Sequence, residues 1–323
     1  MQAAVYKRYG PPSVVAVTDV PQPEPGPGEI LVRVRAAAVT TADWRLRAAA
    51  FPGILALPGR LMFGVTAPRK PILGADFAGE VAVLGDEVEG FTVGQRVFGS
   101  AGLGAHAEYL AIKADGAVVP TPDDLTDAEA AALPFGGLAA LVFLRDVAQL
   151  KGGQRVLIVG ATGGVGAYAT QIARAMKAKV TGVASAARAG LGHDLGAVRM
   201  IDRHVQPVRD WGQYDVVLDT VGAVRPRHLK HLLARDGVFV PLNFEIAEIL
   251  ASLRARLFGG PQVRIAVSDD TAADLARLVE MVNDGKLRPV IDSTFPLEHI
   301  RDAYARVETR SRAGATVLTM PDG

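Results

Sequence analysis

The sequence predicts an α/β protein in two parts, a partly open β-barrel followed by a doubly wound parallel sheet flanked by helices. Three observations predict it. Residues 1–120 break into short apolar strands separated by glycine turns. From Thr126 onward buried strands alternate with helices, and one strand runs through a glycine-rich turn straight into a helix. At about 150 residues per domain, 323 residues make two domains.

The elements follow in order. Met1–Arg8 has no apolar signal-peptide core and reads as a first strand. The run 21–28 alternates proline with other residues and is a stiff extended connector, because proline fixes φ and restricts its predecessor. Ile30–Arg35 is a half-exposed strand; Phe77–Leu84 and Arg96–Phe98 follow, punctuated by Gly85, Gly90 and Gly94. Between Asp43 and Pro71 lies a long apolar loop carrying Trp44, Phe51, Leu55, Leu57, Leu61, Met62 and Phe63. Such a loop either packs under the barrel or walls a substrate pocket.

Thr126 with Glu129 three residues on forms a capping box that starts a helix at Asp127–Ala132. Then come strand Arg155–Val159, helix Gly164–Met176, and strands Lys179–Ala184, Val198–Ile201 and Tyr214–Asp219. Helix Arg225–Ala234 and strands Gly237–Pro241 and Val263–Val267 complete a parallel sheet. The tail adds helix Thr271–Asp284, strand Val290–Phe295, helix Leu297–Val307 and strand Ala315–Met320. The expected division is 1–122 for the barrel, 123–268 for the parallel sheet, and 269–323 for a return to the barrel.

Composition removes several classes of function. Lys and Arg number 35 against 34 Asp and Glu, so no charge excess draws nucleic acid or an anionic membrane. The basic run 225–231 then reads as a solvated helix face, with nucleic-acid contact the lesser alternative. No cysteine occurs, which excludes disulfides, thiolate nucleophiles and Cys-ligated zinc. The longest uncharged run, Val156–Ala173, contains four glycines and has a strand–turn–helix pattern rather than that of a membrane span. A soluble, cytoplasmic chain is the expectation.

The most informative segment is that same run, where Val159 leads into Gly160-Ala161-Thr162-Gly163-Gly164-Val165-Gly166. A turn of this kind lets backbone approach a pyrophosphate and points helix-start N–H groups at its charge. Ala161 stands where G-x-G-x-x-G has its first glycine; Gly163 and Gly166 keep the other two. An NAD-selective site would have an acid at the end of the next strand, but Ser185 and Arg188 stand there. Ser185, Arg188 and, from the third strand, Arg203 suit a 2′-phosphate, favouring NADP(H) over NAD(H); alternatively both arginines sit on a solvated edge. Val221 and Gly222 after the fourth strand, and Pro241, Leu242 and Asn243 after the fifth, flank the place for the nicotinamide. Asn243 either contacts the cofactor or caps the next segment.

These residues resemble the medium-chain dehydrogenase/reductases, in their zinc-free quinone oxidoreductase-like branch of NADPH:quinone and enone reductases. The likeness runs through Tyr9–Pro12, Pro27–Val32, Pro71–Gly79, Gly94–Gly99, Ala161–Gly166 and Gly285–Pro289. It implies a GroES-like barrel with an inserted Rossmann domain, and a homodimer through the last Rossmann strand, near Val263–Val267. Zinc-containing members place a catalytic Cys at Thr40, a Gly-His-Glu block at Gly74-Ala75-Asp76, and a third ligand near Phe135. Ala75 and Phe135 cannot ligate, and His193, His204, His228, His231 and His299 have no ligand spacing, so no zinc is expected. The zinc-free branch usually has Asn at Thr40, a base at Ala187 and Tyr at Arg203, so the basic groups here are displaced.

Without a metal, acceptors that delocalise negative charge are the easier ones: quinones, enones and enals. Thr40 and Asp43 are the catalytic candidates, with Asp43 alternatively a positioning group, and Tyr109 is a lesser proton-donor candidate. His106, on the same strand, is a second such candidate or plain packing. Trp44 and the 51–63 loop are pocket wall or core; Phe135 lines the pocket. Two other readings remain, an NADPH-binding structural or regulatory protein with little turnover, and NADP-dependent alcohol oxidation.

Overall fold

The computed structural model describes residues 1–51, 53, 56–258 and 260–321. The barrel begins with an antiparallel pair, β1 (Gln2–Tyr6) and β2 (Val15–Asp19). Its spine is β3 (Glu29–Val39), whose Ile30, Val32 and Val34 enter the barrel core while Ala36 reaches the core of the second layer. Helices α1 (Thr41–Ala48) and α2 (Ala56–Phe63) precede β4 (Asp76–Leu84), β5 (Arg96–Ser100), β6 (Tyr109–Lys113) and β7 (Val118–Pro120).

Helix α3 (Asp127–Ala132) opens with the expected capping box, Thr126 and Glu129 each bonding the other's backbone N–H. Its small residues let it pack closely on β3. After α4 (Pro134–Val142) come β8 (Arg155–Val159), α5 (Gly166–Ala175), β9 (Lys179–Ala184), α6 (Ala189–Asp194) and β10 (Arg199–Asp202). Then follow β11 (Tyr214–Asp219), α7 (Leu229–Leu232), β12 (Leu233–Pro241), α8 (Ile246–Phe258) and β13 (Gln262–Val263). These six strands form one parallel sheet in the order β10-β9-β8-β11-β12-β13. Chain order reverses between β8 and β11, so the crevice of a doubly wound sheet opens at their carboxyl ends.

The chain returns through α9 (Ala272–Asn283), β14 (Ile291–Pro296), α10 (Ile300–Glu308) and β15 (Ala315–Thr319). β15 pairs antiparallel with β3, which completes the barrel sheet in the order β14-β15-β3-β4-β5-β7, with β6 also on β3. The fold is therefore the α/β arrangement of GroES-like barrel and Rossmann sheet. No described helix is long and apolar enough to cross a membrane.

Four local expectations change. The segment after Thr40 is not a plain loop, because Thr40 and Asp43 make a second capping box that starts α1. α2 leaves Leu57, Leu61 and Met62 exposed, so these neither pack under the barrel nor line the crevice; Leu55 lies outside the described residues. The helix expected at 225–234 ends at Leu232, since Leu233 already pairs with Tyr214 in β12. The strand expected at 263–267 is only Gln262–Val263, and Val267 is exposed.

Candidate functional site

The glycine turn is built by close approach. Gly160 has φ +82°, and a Cβ there would meet the Thr220 hydroxyl at 2.6 Å. A Cβ on Gly166 would sit 1.9 Å from the Gly160 carbonyl, so only glycine lets α5 begin so close to the end of β8. Gly163 N–H donates to that carbonyl at 3.0 Å. Among the described residues nothing accepts from the N–H groups of Gly164 and Val165, which leaves two backbone donors at a helix start.

These donors border a cleft of about 300 Å³. The Rossmann side contributes Gly163, Gly164, Val165, Arg203, Thr220–Ala223 and Asn243. The barrel side contributes Thr41 and Arg45 from α1, and Phe135 closes another wall. The segment after α10 adds Arg310 and Arg312. Gly314 N–H donates to the Thr162 carbonyl at 3.0 Å and Arg312 Nη2 donates to Thr41 Oγ1 at 3.0 Å, so this segment ties the glycine turn to α1.

The structure gathers part of the expected cofactor set here and leaves part aside. Gly163, Gly164, Val165, Arg203, Val221, Gly222 and Asn243 line the cleft. Gly160, Ala161, Thr162 and Gly166 shape the turn from behind. The buried Asp219 carboxylate accepts from Val221, Gly222 and Val224 N–H groups at 2.7–3.0 Å, so the β11 loop is rigid and those donors are occupied. Asn243 donates to the Thr220 carbonyl and accepts from Arg45, tying the β11 and β12 loops to α1; Pro241 and Leu242 do not line the cleft. Ser185 and Arg188 do not line the cleft: Arg188 donates to the Ser311 carbonyl at 3.2 Å and lies 3.8 Å from Asp292.

The catalytic candidates lie deeper. Thr40 is buried, donates from Oγ1 to Asp43 Oδ2 at 2.6 Å, and accepts from Asp43 N–H. Asp43 also accepts from Thr40 N–H and, through Oδ1, from Gly74 N–H at 3.0 Å. Both carboxylate oxygens are thus occupied in fixing the start of α1 against the loop before β4. Trp44 lies outside the cleft, with the Arg310 guanidinium 4.9 Å over its ring. Tyr109 sits on β6 opposite Arg33, away from the cleft. His106 is core: Nε2–H donates to the Ala38 carbonyl at 3.0 Å, and the Tyr304 hydroxyl donates to Nδ1 at 3.4 Å.

Several residues escaped the sequence reading. Arg45, Arg310 and Arg312 come from segments far apart in the chain, yet share the cleft with Arg203. Burial pulls the Arg312 guanidinium down to about 10. Burial, then the like charge of Arg310, lowers Arg45 as well. Asp76 is buried beneath Phe135 and accepts its N–H at 2.8 Å through Oδ2, while Oδ1 has no partner among the described residues. Burial pushes the Asp76 carboxyl well above the usual carboxylate range; Phe135 N–H opposes this, and the nearby Asp270 and Asp43 add to it. A Thr-x-x-Asp capping signature at 40–43 and the Arg-x-Arg spacing at 310–312 were the available signals.

The residues fit a dinucleotide: unclaimed N–H donors at a helix start, a turn that only glycine can make, and arginines for phosphate. Comparison with known proteins agrees with the fold. Residues 26–123 match the alcohol dehydrogenase GroES-like domain model, and residues 195–318 match the zinc-binding dehydrogenase model. A quinone oxidoreductase of Pseudomonas aeruginosa is 31% identical, covering 97% of this chain and 98% of its own length. The structure of a quinone oxidoreductase from Coxiella burnetii superposes with TM-score 0.87 at 28% identity, covering 99% of both chains. A mycobacterial protein solved in complex with NADPH gives TM-score 0.81 at 26% identity over 99% of this chain and 100% of its own. The chain belongs to the medium-chain dehydrogenase/reductase superfamily, in its quinone oxidoreductase-like branch.

Proposed function

We propose that this NAD(P)H-dependent oxidoreductase prefers NADPH and reduces a quinone or an α,β-unsaturated carbonyl without a metal. The observation that carries the reading is the cleft at the β8/β11 reversal, with two unclaimed N–H donors, with Arg203 and Arg312, and with no acid in its lining. When bound, the dihydronicotinamide supplies the hydride. The chain's part is to hold, orient and keep dry. Gly164 and Val165 N–H groups and Arg312 would hold the pyrophosphate, and Arg203, just after β10, would hold the 2′-phosphate. The β11 loop, stiffened by Asp219, and Asn243 after β12 would border the nicotinamide half. Thr40 and Asp43 act here as positioning residues that set α1 against this half, and Phe135 is the apolar wall.

A zinc ion does not fit the donor set. The Thr40 hydroxyl is already bonded to Asp43, Ala75 and Phe135 have no donor, and no cluster of three His, Cys, Asp or Glu able to hold a metal occurs among the described residues. Charge developing on a ketone oxygen then has no metal to rest on, which favours acceptors that spread it over a conjugated system. The test is NADPH oxidation with a panel of quinones, enones and simple ketones. Turnover confined to the conjugated acceptors is expected. Tight NADPH binding with no turnover on any acceptor would overturn the reading and leave a binding protein.

A further inference from the structure

The cleft is lined by positive charge at its nicotinamide end as well as at its phosphate end. Its lining has four arginines, Arg45, Arg203, Arg310 and Arg312, and no Asp or Glu, in a chain whose formal net charge is only +1. Among the described residues, none of the four lies within 4.0 Å of a carboxylate oxygen. Arg203 and Arg310 are exposed to solvent and Arg312 feels Asp292 and Asp43 at longer range, whereas half-buried Arg45 has a neutral partner, Asn243, and the like charge of Arg310 near it, which an anion would relieve.

Topology divides the four. Sheet order puts β9 and β10 on one side of the β8/β11 reversal, and β11 and β12 on the other. Arg203 follows β10, on the side of the adenosine half. Arg312 stands against the glycine turn, where a Cβ on Gly164 would come 3.2 Å from its Nη2. Those two stand at the phosphate end. Arg45 donates to Asn243 at the end of β12, which is the nicotinamide end, where the acceptor must lie. Arg310 is stacked on Trp44, the neighbour of Arg45 in α1, and holds φ +51°, so a non-glycine residue is kept in a left-handed conformation beside the cleft.

We propose that Arg45, backed by Arg310, is a subsite for a carboxylate on the acceptor, so that the preferred substrate is a conjugated carbonyl compound carrying an acidic group. This rests on the hydride-transfer reading above. Arg45 can present the guanidinium edge not used by Asn243 to a carboxylate, and the planar fork makes such a contact directional as well as attractive. The chemistry suits a substrate generated by a step that leaves an ionised acid beside an activated double bond or a quinone ring.

The test has a binding arm and a turnover arm. Benzoate and the neutral isostere benzamide are titrated calorimetrically into the NADP⁺ complex of the wild type, Arg45→Gln and Arg45→Lys. Benzoate is expected to bind about tenfold or more tightly than benzamide. Arg45→Gln should remove that difference, Arg45→Lys should keep part of it, and NADPH affinity should move less than about threefold. In turnover, the ratio of kcat/KM for 1,2-naphthoquinone-4-sulfonate to that for 1,2-naphthoquinone should fall about tenfold in Arg45→Gln. Equal binding of benzoate and benzamide by the wild type would overturn the proposal, as would a loss in Arg45→Gln that falls on NADPH instead. Neutral quinones reduced without benzoate binding would sink this subsite and leave the reductase reading standing. Benzoate held through Arg45 with no acceptor reduced would do the reverse.

Discussion

Replacing Gly166 by alanine tests how the chain holds its cofactor. The added Cβ would stand 1.9 Å from the Gly160 carbonyl, against backbone rather than a movable side chain. To reach even a tight contact, the carbonyl and the start of α5 must part by about 1 Å. That carbonyl also accepts the Gly163 N–H, so the turn deforms as a unit. A 1 Å shift takes the Gly164 and Val165 N–H groups out of hydrogen-bonding range of a phosphate. Two charge-assisted bonds at about 1.5–3 kcal/mol each correspond to at least ~100-fold in Kd. NADPH affinity would be measured by fluorescence titration, together with the melting temperature of the unliganded protein. Gly163→Ala is the control, since its Cβ would meet only the Gly160 carbonyl at 3.4 Å, an ordinary contact. Gly166→Ala should lose both stability and NADPH binding, whereas Gly163→Ala should keep the melting temperature. NADPH binding by Gly166→Ala within about threefold of wild type would refute the assignment of this turn to the phosphates.

Other predictions follow from single groups. Because burial raises the folded-state affinity of Asp76 for its proton, the unfolded chain loses that proton first as pH rises above the ordinary aspartate range. Stability should therefore fall with rising pH up to the folded-state value, by up to ~1.4 kcal/mol per pH unit from this group, and Asp76→Asn should flatten the slope in urea titrations; an unchanged slope would count against a protonated Asp76. Arg203→Ala should lower the NADPH/NADH preference about tenfold, while Arg188→Ala, whose guanidinium faces Ser311 and Asp292, should leave it nearly unchanged; the reverse ranking would move the 2′-phosphate to Arg188. The short edge strand β13 lies beside α8, which exposes Ile246, Leu250, Leu253 and Leu257 along one face. A homodimer across this edge is expected by light scattering, and Leu250→Glu with Leu253→Glu should shift it toward monomer; a monomeric wild type would contradict it.

The parallel-sheet half was legible because its signals are local. β8, the glycine turn and α5 announce themselves within one run of residues, and Thr126 with Glu129 marks α3 before any tertiary contact is made. α1 carried the same capping signature at Thr40 and Asp43, but the prolines and glycines that follow made the whole segment look like loop. The helix expected at 225–234 was cut short by pairing with β11, since Leu233 has a strand partner that no local propensity reveals. The cleft was half legible. Its glycine, Arg203, Val221 and Asn243 positions follow from strand order, because ligands of such sheets lie at the strand ends. Arg45, Arg310 and Arg312 were hidden because balanced composition conceals a local cluster assembled from α1 and the segment after α10. The reach of Arg188 toward Ser311 was hidden for the same reason: its partners are more than a hundred residues away in the chain.

Metal-free hydride transfer to a conjugated acceptor is tested by the fate of a label. NADPH deuterated at the reactive nicotinamide carbon is supplied, with an enone, to protein freed of metal by chelation and checked for residual zinc. Undiminished turnover and deuterium at the β-carbon of the saturated product are expected. Turnover that disappears on chelation and returns with zinc, or deuterium found at a carbinol carbon instead, would contradict it.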